Sequence, residues 1–360
     1  MPPPATPLGR RIARQIAQTG PITVAEYMAL CLTDPEQGYY TTRDPLGVQG
    51  DFITAPEISQ MFGELIGLWL AQCWLDQGRP APVTLTELGP GRGTLMADAL
   101  RATRIVPGFH EALRLVLVEA SPVLRARQRA ALAGSEITFA DTAEALPEAP
   151  LLLIANEFFD ALPVRQFQRA GAGWRERMVG LDAGGGLAFG LSGPVAPEAL
   201  APRLADTREG EVVELCPAAP GIAQEIARRI SAHGGAALIV DYGGWRGTGD
   251  TLQALAGHRF ADPLAAPGTA DLTAHVDFEP IARAARAAGA AVAPLTTQGT
   301  FLARLGIAER AAALSRGLAG AALTAHEAAH RRLTAPEEMG TLFKVLALHP
   351  QGPPPPGFDA

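Results

Sequence analysis

The sequence predicts an α/β protein with a Rossmann-like, mostly parallel sheet. An apolar, β-branched strand at 83–88 runs into a glycine-rich turn, and a helical segment follows at 94–100. Further apolar strands alternate with helical segments, which is typical of a parallel sheet. These strands lie at 113–118, 137–140, 151–155 and 236–240. A strand, a glycine turn and a helix in this order begin a nucleotide-binding α/β unit.

The glycine turn has the form Glu87-x-Gly89-x-Gly91-x-Gly93. Glycines let the backbone approach a ligand closely, and the start of the next helix offers free N–H groups to an anionic group. The dinucleotide-binding fingerprint is G-x-G-x-x-G, and here the third glycine comes early. The form found here resembles the first motif of class I S-adenosylmethionine (SAM) methyltransferases. A methyltransferase, a dinucleotide-binding enzyme and a plain glycine turn are all open at this point.

The composition indicates a globular protein with a sizeable core. The chain has 360 residues, of which 48% are hydrophobic and 19% charged, which favours about two domains or one domain with large insertions. No apolar run approaches the ~18 residues of a membrane-spanning helix, so we expect no membrane insertion. The net charge of −7 argues against a nucleic-acid partner. The three cysteines lack C-x-x-C spacing, which favours a reducing compartment.

The first 25 residues carry Arg10, Arg11 and Arg14 and no acidic residue. This composition also occurs in mitochondrial transit peptides. We favour an ordinary helix at 9–19 that follows a proline-rich tip.

Two helices are predicted to flank a long irregular segment. The first, at 22–33, has Thr23 as its cap and Glu26 at the capping-box position. The second, at 57–76, is strongly apolar. The segment at 34–56, whose part from 38 to 56 is the candidate lid, is rich in glycine and proline but also carries aromatic residues. A loop of this length in a compact domain is usually functional or disordered, and the aromatic residues favour an ordered lid or collar.

Polar residues follow several strands of the predicted sheet. Glu119 ends the strand after the glycine turn, where an acid can accept hydrogen bonds from a ribose diol. SAM and NAD both carry this diol, and a solvated strand-end charge is the alternative. Asp141 follows the next strand, and Asn156-Glu157 follows the wholly apolar strand at 151–155. Ligands of open α/β sheets lie outside the carboxyl ends of the strands, so these residues are expected at one site.

An antiparallel insertion is predicted at about 164–215, because short alternating segments are joined there by glycine turns. The remaining elements are predicted as a helix, a second long loop, an alanine-rich helix, further helices and a final strand, at 221–233, 245–276, 278–288, 302–332 and 342–348.

His326-Glu-Ala-Ala-His330 matches the H-E-x-x-H motif of zinc proteases. Such a site needs a third ligand and an open coordination position, and no residue nearby in sequence is a convincing ligand. The segment is an alanine-rich helix followed by two arginines. We predict no metal site.

Longer motifs lie along nearly the whole chain. They include Gly-Tyr-Tyr at 38–40, Gly-Asp-Phe-Ile-Thr-Ala-Pro-Glu at 50–57, Asn-Glu-Phe-Phe-Asp at 156–160, Asp-Tyr-Gly at 241–243, Gly-Thr-Ala-Asp-Leu-Thr-Ala-His at 268–275 and Gly-Thr-Leu-Phe-Lys at 340–344. Together with the glycine turn, these motifs resemble the MidA family. Its members are SAM-dependent methyltransferases, and the mitochondrial ones act in the assembly of respiratory complex I.

The resemblance implies a class I SAM-methyltransferase fold with a seven-stranded Rossmann-like sheet. It implies that residues 1–80 form a helical N-terminal extension, whose loop covers cofactor and substrate. Residues 81–360 then form the methyltransferase core, which contains the antiparallel insertion. In this fold the final strand is inserted antiparallel.

The resemblance also implies SAM as the cofactor. The residues expected to bind it are Glu87, Gly89, Gly91, Gly93, Glu119, Ser121, Asp141, Thr142 and Asn156. In class I enzymes a polar residue at the position of Asp141 commonly meets the adenine amino group. The alternative for Asp141 is a helix cap.

The implied acceptor is a protein side chain, with arginine favoured. A guanidinium stays protonated in water, and a carboxylate pair can bind its planar fork. Glu157 is the best candidate for one carboxylate, and Glu57 or Asp51 for the other. Asn156, with Phe159 three residues later, resembles the N-P-P-Y-type loop of amino-methylating enzymes. This sequence lacks the two prolines of that loop. A structural ion pair of Glu157 is the alternative.

The residues expected to contact the substrate are Tyr39, Tyr40, Phe52, Thr54, Phe159 and His275. The expected partner is a protein substrate, with a respiratory complex I subunit as the candidate. The expected compartment is the bacterial cytoplasm, or the mitochondrial matrix if the chain is eukaryotic. Two other functions stay open: an assembly chaperone that keeps the fold to bind its client, and an NAD(P) enzyme.

Overall fold

The computed structural model describes residues 5–42 and 54–358. Within them the chain forms two compact units. The first unit contains the described residues up to 42 together with 160–219 and 244–277, and the second contains 54–159, 220–243 and 278–358.

The helices are numbered in chain order. They are α1 (Pro7–Thr19), α2 (Val24–Thr33), α3 (Tyr39–Thr42), α4 (Ala55–Ile58), α5 (Gln60–Asp76), α6 (Thr94–Thr103), α7 (Phe109–Ala112), α8 (Pro122–Ala131), α9 (Ala219–His233), α10 (Phe278–Ala287), α11 (Gln298–Arg304), α12 (Ile307–Ser315) and α13 (Gly320–Thr334). Short 3₁₀ or π-helical turns lie at Ala143–Ala145, Glu198–Leu204 and Pro336–Gly340.

The strands are also numbered in chain order. They are β1 (Ile22–Thr23), β2 (Val83–Leu88), β3 (Leu113–Val118), β4 (Ile137–Ala140), β5 (Leu151–Asn156), β6 (Arg165–Ala170), β7 (Gly173–Leu181), β8 (Leu187–Val195), β9 (Val212–Leu215), β10 (Gly235–Gly244), β11 (Gln253–Ala256), β12 (Arg259–Ala261), β13 (Asp271–Thr273), β14 (Val276–Asp277), β15 (Ala291–Val292), β16 (Thr296–Thr297) and β17 (Phe343–His349).

The second unit is built on a mixed sheet with the strand order β15-β17-β10-β5-β2-β3-β4, and β16 lies beside β17. Strands β10, β5, β2, β3 and β4 pair in parallel. Strand β17 is antiparallel to its three partners, β10, β15 and β16. This arrangement confirms the predicted Rossmann-like class I sheet and its antiparallel last strand.

The central strands of this sheet are apolar because both of their faces are covered. Every residue of β2 and of β5 is buried. One face packs against α5 and α6, with Met61, Phe62, Ile66 and Trp69 of α5 in the shared core. The chain order reverses between β2 and β5, which is where open α/β sheets bind ligands.

The first unit contains a five-stranded antiparallel sheet with the order β1-β7-β6-β9 and with β8 beside β7. This sheet confirms the predicted antiparallel insertion. The N-terminal helices pack in the same unit, with Leu8, Ile12, Tyr27 and Met28 fully buried. The predicted capping box is present, because Thr23 Oγ1 accepts from Glu26 N at 3.1 Å and Glu26 Oε2 accepts from Thr23 N at 2.7 Å.

Three predictions of secondary structure are wrong in part. The helix predicted at 57–76 is two helices, α4 and α5, because Ser59 is extended (φ −162°, ψ 139°) and caps α5 through its hydroxyl. The second long loop, predicted at 245–276, contains a small antiparallel sheet with the order β12-β11-β13. The irregular segment after residue 38 likewise begins with a single helical turn, α3.

The compact units divide the chain elsewhere than at residue 80. Residues 54–80 belong to the second unit, because α5 supplies a large part of its core. Residues 244–277 pack with the insertion in the first unit.

Candidate active site

The glycine turn after β2 has a backbone that glycine adopts most readily. Gly89, Gly91 and Gly93 have φ values of +59°, +53° and +84°. Gly89 N donates to Val118 O at 3.0 Å, which fixes the turn to the end of β3. Gly93 directly precedes α6 and has no side chain to cap it. The turn therefore presents the first N–H groups of α6 at the carboxyl edge of the sheet.

Glu119 follows β3, and its carboxylate is held by two hydrogen bonds. Oε1 accepts from Ser121 N at 2.7 Å, and Oε2 accepts from Gln128 Nε2 at 3.2 Å. Gln128 Nε2 also donates to Gly91 O at 2.7 Å, so Gln128 joins Glu119 to the glycine turn. Burial raises the pKa of Glu119. A carboxylate has about four acceptor positions, so Glu119 can accept further donors while it keeps these contacts.

Glu87 is buried near the end of β2. In the sheet register it lies between Leu117 of β3 and Ile154 of β5, both core residues. Burial in these apolar surroundings raises the pKa of Glu87 to about 8. Its Oε2 has no hydrogen-bond partner among the described residues.

Asn156 and Glu157 follow at the end of β5. Asn156 Nδ2 donates to Glu157 Oε1 at 3.2 Å. Glu157 has a φ of +50°, a left-handed conformation that costs a non-glycine residue about 1–3 kcal/mol. Its N–H donates to Val240 O at 2.9 Å, and its Oε1 accepts from Ala55 N at 2.9 Å. These bonds hold Glu157 in the strained conformation.

The two phenylalanines after Glu157 join this turn to the glycine turn. A Cβ atom on Gly89 would lie 3.0 Å from Phe158 Cδ2, so the Phe158 ring lies on the glycine turn. Phe159 is buried and meets Phe158 edge to face, with centroids 5.3 Å apart. Phe159 N donates to the buried Asp241 Oδ2 at 3.0 Å. The ends of β2 and β5 thus form one continuous site.

Residues 65–296 match the protein family described as "Putative S-adenosyl-L-methionine-dependent methyltransferase". The matched span is more than half of the chain. The chain belongs to this methyltransferase family. It is an enzyme whose cofactor is SAM, and the NAD(P) alternative is therefore dropped.

Relatives of this methyltransferase cover nearly its whole length. The mouse protein arginine methyltransferase NDUFAF7, mitochondrial, is 42% identical over 96% of this chain and 85% of its own. The human protein of the same name is 38% identical over 96% of this chain and 84% of its own. A Burkholderia thailandensis structure solved with S-adenosyl-homocysteine is 30% identical, with a TM-score of 0.82 over 100% of this chain and 96% of that one. These matches confirm the predicted MidA membership.

The side chains of the methyltransferase site fit SAM. Three buried acceptor atoms have no hydrogen-bond partner among the described residues: Glu87 Oε2 and Asn156 Oδ1 at the strand ends, and Gln128 Oε1 on α8. A buried acceptor without a donor is costly, so such atoms indicate a missing partner. SAM brings an ammonium group, two ribose hydroxyls and an adenine amino group, all of which donate hydrogen bonds.

Asp141 and Thr142 lie at the end of β4. Asp141 Oδ1 accepts from Arg125 Nη2 at 2.6 Å, and the Arg125 Nε donates to Glu119 O at 2.6 Å. Arg125 therefore joins the ends of β3 and β4. Thr142, not Asp141, precedes the turn Ala143–Ala145, and it makes no side-chain cap there. Contact of Asp141 or Thr142 with the adenine stays a prediction.

The residues predicted to supply the second carboxylate or to contact the substrate do not all lie in one part of the structure. Glu57 Oε1 accepts from Thr94 Oγ1 at 2.5 Å, and Thr54 precedes α4 without capping it. Asp51 and Phe52 lie outside the described residues.

In the first unit, Tyr39 is fully buried in the core. Tyr40 Oη donates to Asp271 Oδ1 at 2.7 Å, and burial raises the pKa of Tyr40. His275 is exposed, and its N–H donates to Thr251 Oγ1 at 2.8 Å. Substrate contact by these residues stays a prediction.

The H-E-x-x-H segment lies on α13. His326 Nε2 is 2.9 Å from the carbonyl oxygen of Ala311. In the described ranges, 5–42 and 54–358, no group of three or more His, Cys, Asp or Glu side chains is placed to hold a metal ion. Over the same ranges, no helix is long and apolar enough to cross a membrane.

Sequence reasoning missed three residues of the site: Gln128, Phe158 and Asp241. Gln128 could have been found, because it lies four residues after Leu124 on the buried side of α8, where a polar residue needs a partner. Phe158 and Asp241 lie within quoted motifs, but nothing in the sequence indicates that they contact Gly89 and Phe159.

Proposed function

We propose that this methyltransferase transfers the methyl group of SAM to an arginine side chain of a protein. The observation that carries the proposal is Glu157, a carboxylate in a strained backbone conformation at the end of β5, beside the glycine turn. The curated relatives named as protein arginine methyltransferases support the same acceptor.

The strain at Glu157 supports a functional role. A non-glycine residue keeps a left-handed backbone only where its surroundings determine it, and such residues are concentrated at active sites. Glycine or asparagine would adopt this conformation at lower cost. A glutamate in this position therefore points to a need for its carboxylate.

A carboxylate is the group that an arginine acceptor needs. When bound, SAM supplies a methyl group that its sulfonium already activates. Glu157 would bind the planar guanidinium, localise its charge and orient one nitrogen. That nitrogen would form the new N–C bond as the S–C bond breaks, with the electron pair of that bond left on sulfur. Glu157 would then accept the proton that the methylated nitrogen loses.

Asn156 and Phe159 would complete the acceptor site. The Asn156 Oδ1 is an acceptor for either the cofactor or the guanidinium, and its Nδ2 already holds Glu157. Phe159 is fixed by Asp241, so it provides a rigid apolar wall. Positioning of this kind supplies roughly 7–11 kcal/mol of barrier reduction in well-aligned reactions.

The proposed partner is a subunit of respiratory complex I, because the mitochondrial members of the resembled family act in its assembly. The proposed compartment is the bacterial cytoplasm, or the mitochondrial matrix if the chain is eukaryotic. The mitochondrial relatives support the second of these.

The variant Glu157→Gln tests the proposal. It keeps the side-chain shape and an oxygen that can accept from Ala55 N, but it removes the charge and the proton acceptor. We expect methyl transfer to fall by roughly 10²–10⁴-fold, and S-adenosyl-homocysteine affinity to stay within about threefold. Transfer is measured with labelled SAM, and affinity by calorimetric titration.

Glu136→Gln is the matched control, because Glu136 is exposed and directly precedes β4, at the edge of the sheet opposite the carboxyl ends of the strands. Unchanged transfer by Glu157→Gln would reject its role as the acceptor carboxylate. If Glu157→Gln also restored complex I assembly in cells that lack the protein, the assembly-chaperone function would be favoured instead.

A further inference from the structure

The short helix α4 is attached at two of its residues to the active site of the second unit. At its start, Ala55 N donates to Glu157 Oε1 at 2.9 Å. At its third residue, Glu57 Oε1 accepts from Thr94 Oγ1 at 2.5 Å. Ala55 is also fully buried in the core, so the helix cannot shift without disturbing packing. Four residues therefore connect the turn after β5 with the helix that follows the glycine turn.

Thr94 is the first residue of α6, and its position fixes where the glycine turn ends. Gly93 before it is left-handed and has no side chain to cap α6. The hydrogen bond from Thr94 to Glu57 restrains the start of α6 from outside the turn. The N–H groups at this helix start are the ones that face an anionic group of a bound nucleoside.

We infer that Glu57 is a positioning residue, which holds the start of α6 and the glycine turn in place for SAM through its hydrogen bond with Thr94. This role differs from the one predicted from the sequence, in which Glu57 is a second carboxylate for the acceptor. It rests on the methyltransferase family and not on an arginine acceptor, so it can fail or hold independently of the proposed function.

The two roles make different demands on residue 57. Positioning needs an oxygen that accepts a hydrogen bond, and glutamine supplies one as well as glutamate does. Binding a guanidinium needs a negative charge, which glutamine lacks. The pair Glu57→Gln and Glu57→Ala therefore separates the roles. Thr94→Ser and Thr94→Val separate the hydroxyl donor from the shape of the side chain in the same way.

The experiment is calorimetric titration of the full chain with S-adenosyl-homocysteine. We expect Glu57→Ala and Thr94→Val to lose affinity by up to about tenfold, because the free energy of one hydrogen bond is the most that its loss can take from cofactor binding. Glu57→Gln and Thr94→Ser should stay within about threefold of the parent. The double variant with Glu57→Ala and Thr94→Val should bind S-adenosyl-homocysteine no more weakly than the weaker-binding of the two single variants, because both changes remove the same hydrogen bond.

Glu327→Ala and Thr324→Val are the controls, since both residues are exposed on α13. If Glu57→Ala does not fold, Thr94→Val and Thr94→Ser carry the test alone. Unchanged affinity in Glu57→Ala and Thr94→Val would overturn the inference, and so would additive losses in the double variant. A loss of methyl transfer in Glu57→Gln with unchanged affinity would restore the role of acceptor carboxylate.

Discussion

The carboxyl group of Glu87 shows how strongly one residue depends on its surroundings. It lies near the end of β2 among core residues, and one of its oxygens has no partner among the described residues. Burial raises its pKa from 4.5 to about 8, so the cofactor-free protein keeps it protonated near neutral pH. A cationic group of SAM that arrives at this carboxyl would favour its ionised form.

This pKa makes stability depend on pH. Between about 4.5 and 8 the unfolded chain has ionised Glu87 whereas the folded protein still holds the proton. The contribution of Glu87 to the free energy of unfolding is therefore greatest below pH 4.5. It decreases as the pH rises to about 8, by at most about 1.4 kcal/mol per pH unit.

We expect the stability of Glu87→Gln not to decrease in this way as the pH rises, because glutamine does not ionise. The measurement is the free energy of unfolding of both proteins, by chemical denaturation without cofactor at about pH 5.5 and 7.5. The parent should lose stability relative to the variant by roughly 2 kcal/mol between these pH values. An equal change in both proteins would show that Glu87 ionises in the folded state as it does in water.

At the scale of single residues, the sequence predicts which residues belong to the site better than it predicts the contacts that these residues make. Glu119 could be found because an acid at a strand tip has a known use in nucleoside binding. The bonds of its carboxylate could not be found, because Gln128 comes from a helix whose rotation about its axis depends on packing. The strain at Glu157 likewise depends on distant partners, namely Val240 and Ala55.

At the scale of elements, α5 and α6 approach so closely that glycine is required in α5. A Cβ atom on Gly67 would lie 2.5 Å from Ala99 Cα, and one on Gly63 would lie 2.8 Å from Asp98 Cβ. The two glycines are one helical turn apart, so they form a shallow groove for α6. This contact holds α6, which begins at the glycine turn, against the sheet.

We expect Gly67→Ala to lower the free energy of unfolding by roughly 2–3 kcal/mol, because the added methyl group overpacks the contact between the helices. Gly221→Ala in α9 is the matched control. Gly221 is exposed, and a Cβ atom there would have no heavy atom within 4 Å. The control should be neutral or more stable by up to ~1 kcal/mol. Chemical denaturation measures both, and equal stability of the two variants would contradict the packing argument.

Sequence patterns predict well those elements that are apolar along their whole length. The central strands and α5 are of this kind. The sheet within 245–276 was missed because its strands have only three or four residues, and β12 is wholly exposed, so no alternation appears. The break at Ser59 was missed because a single extended residue leaves the apolar period on both sides intact.

At the scale of the whole molecule, the sequence predicts the fold but not the grouping of its segments. Each unit is assembled from three stretches of chain. Which stretches pack together depends on contacts between residues far apart in sequence, and local patterns carry little information on these. The methyltransferase class could be predicted because the glycine turn and the strand-end residues lie at fixed places along one topology.

The central claim is that this chain methylates arginine in a protein. The most direct test incubates the purified protein with methyl-labelled SAM and a lysate of cells that lack it, then hydrolyses the labelled polypeptides to amino acids. We predict label in a discrete polypeptide, recovered as methylarginine, and none with Glu157→Gln. Label recovered in another amino acid, or no protein-bound label although S-adenosyl-homocysteine binds, would contradict the claim.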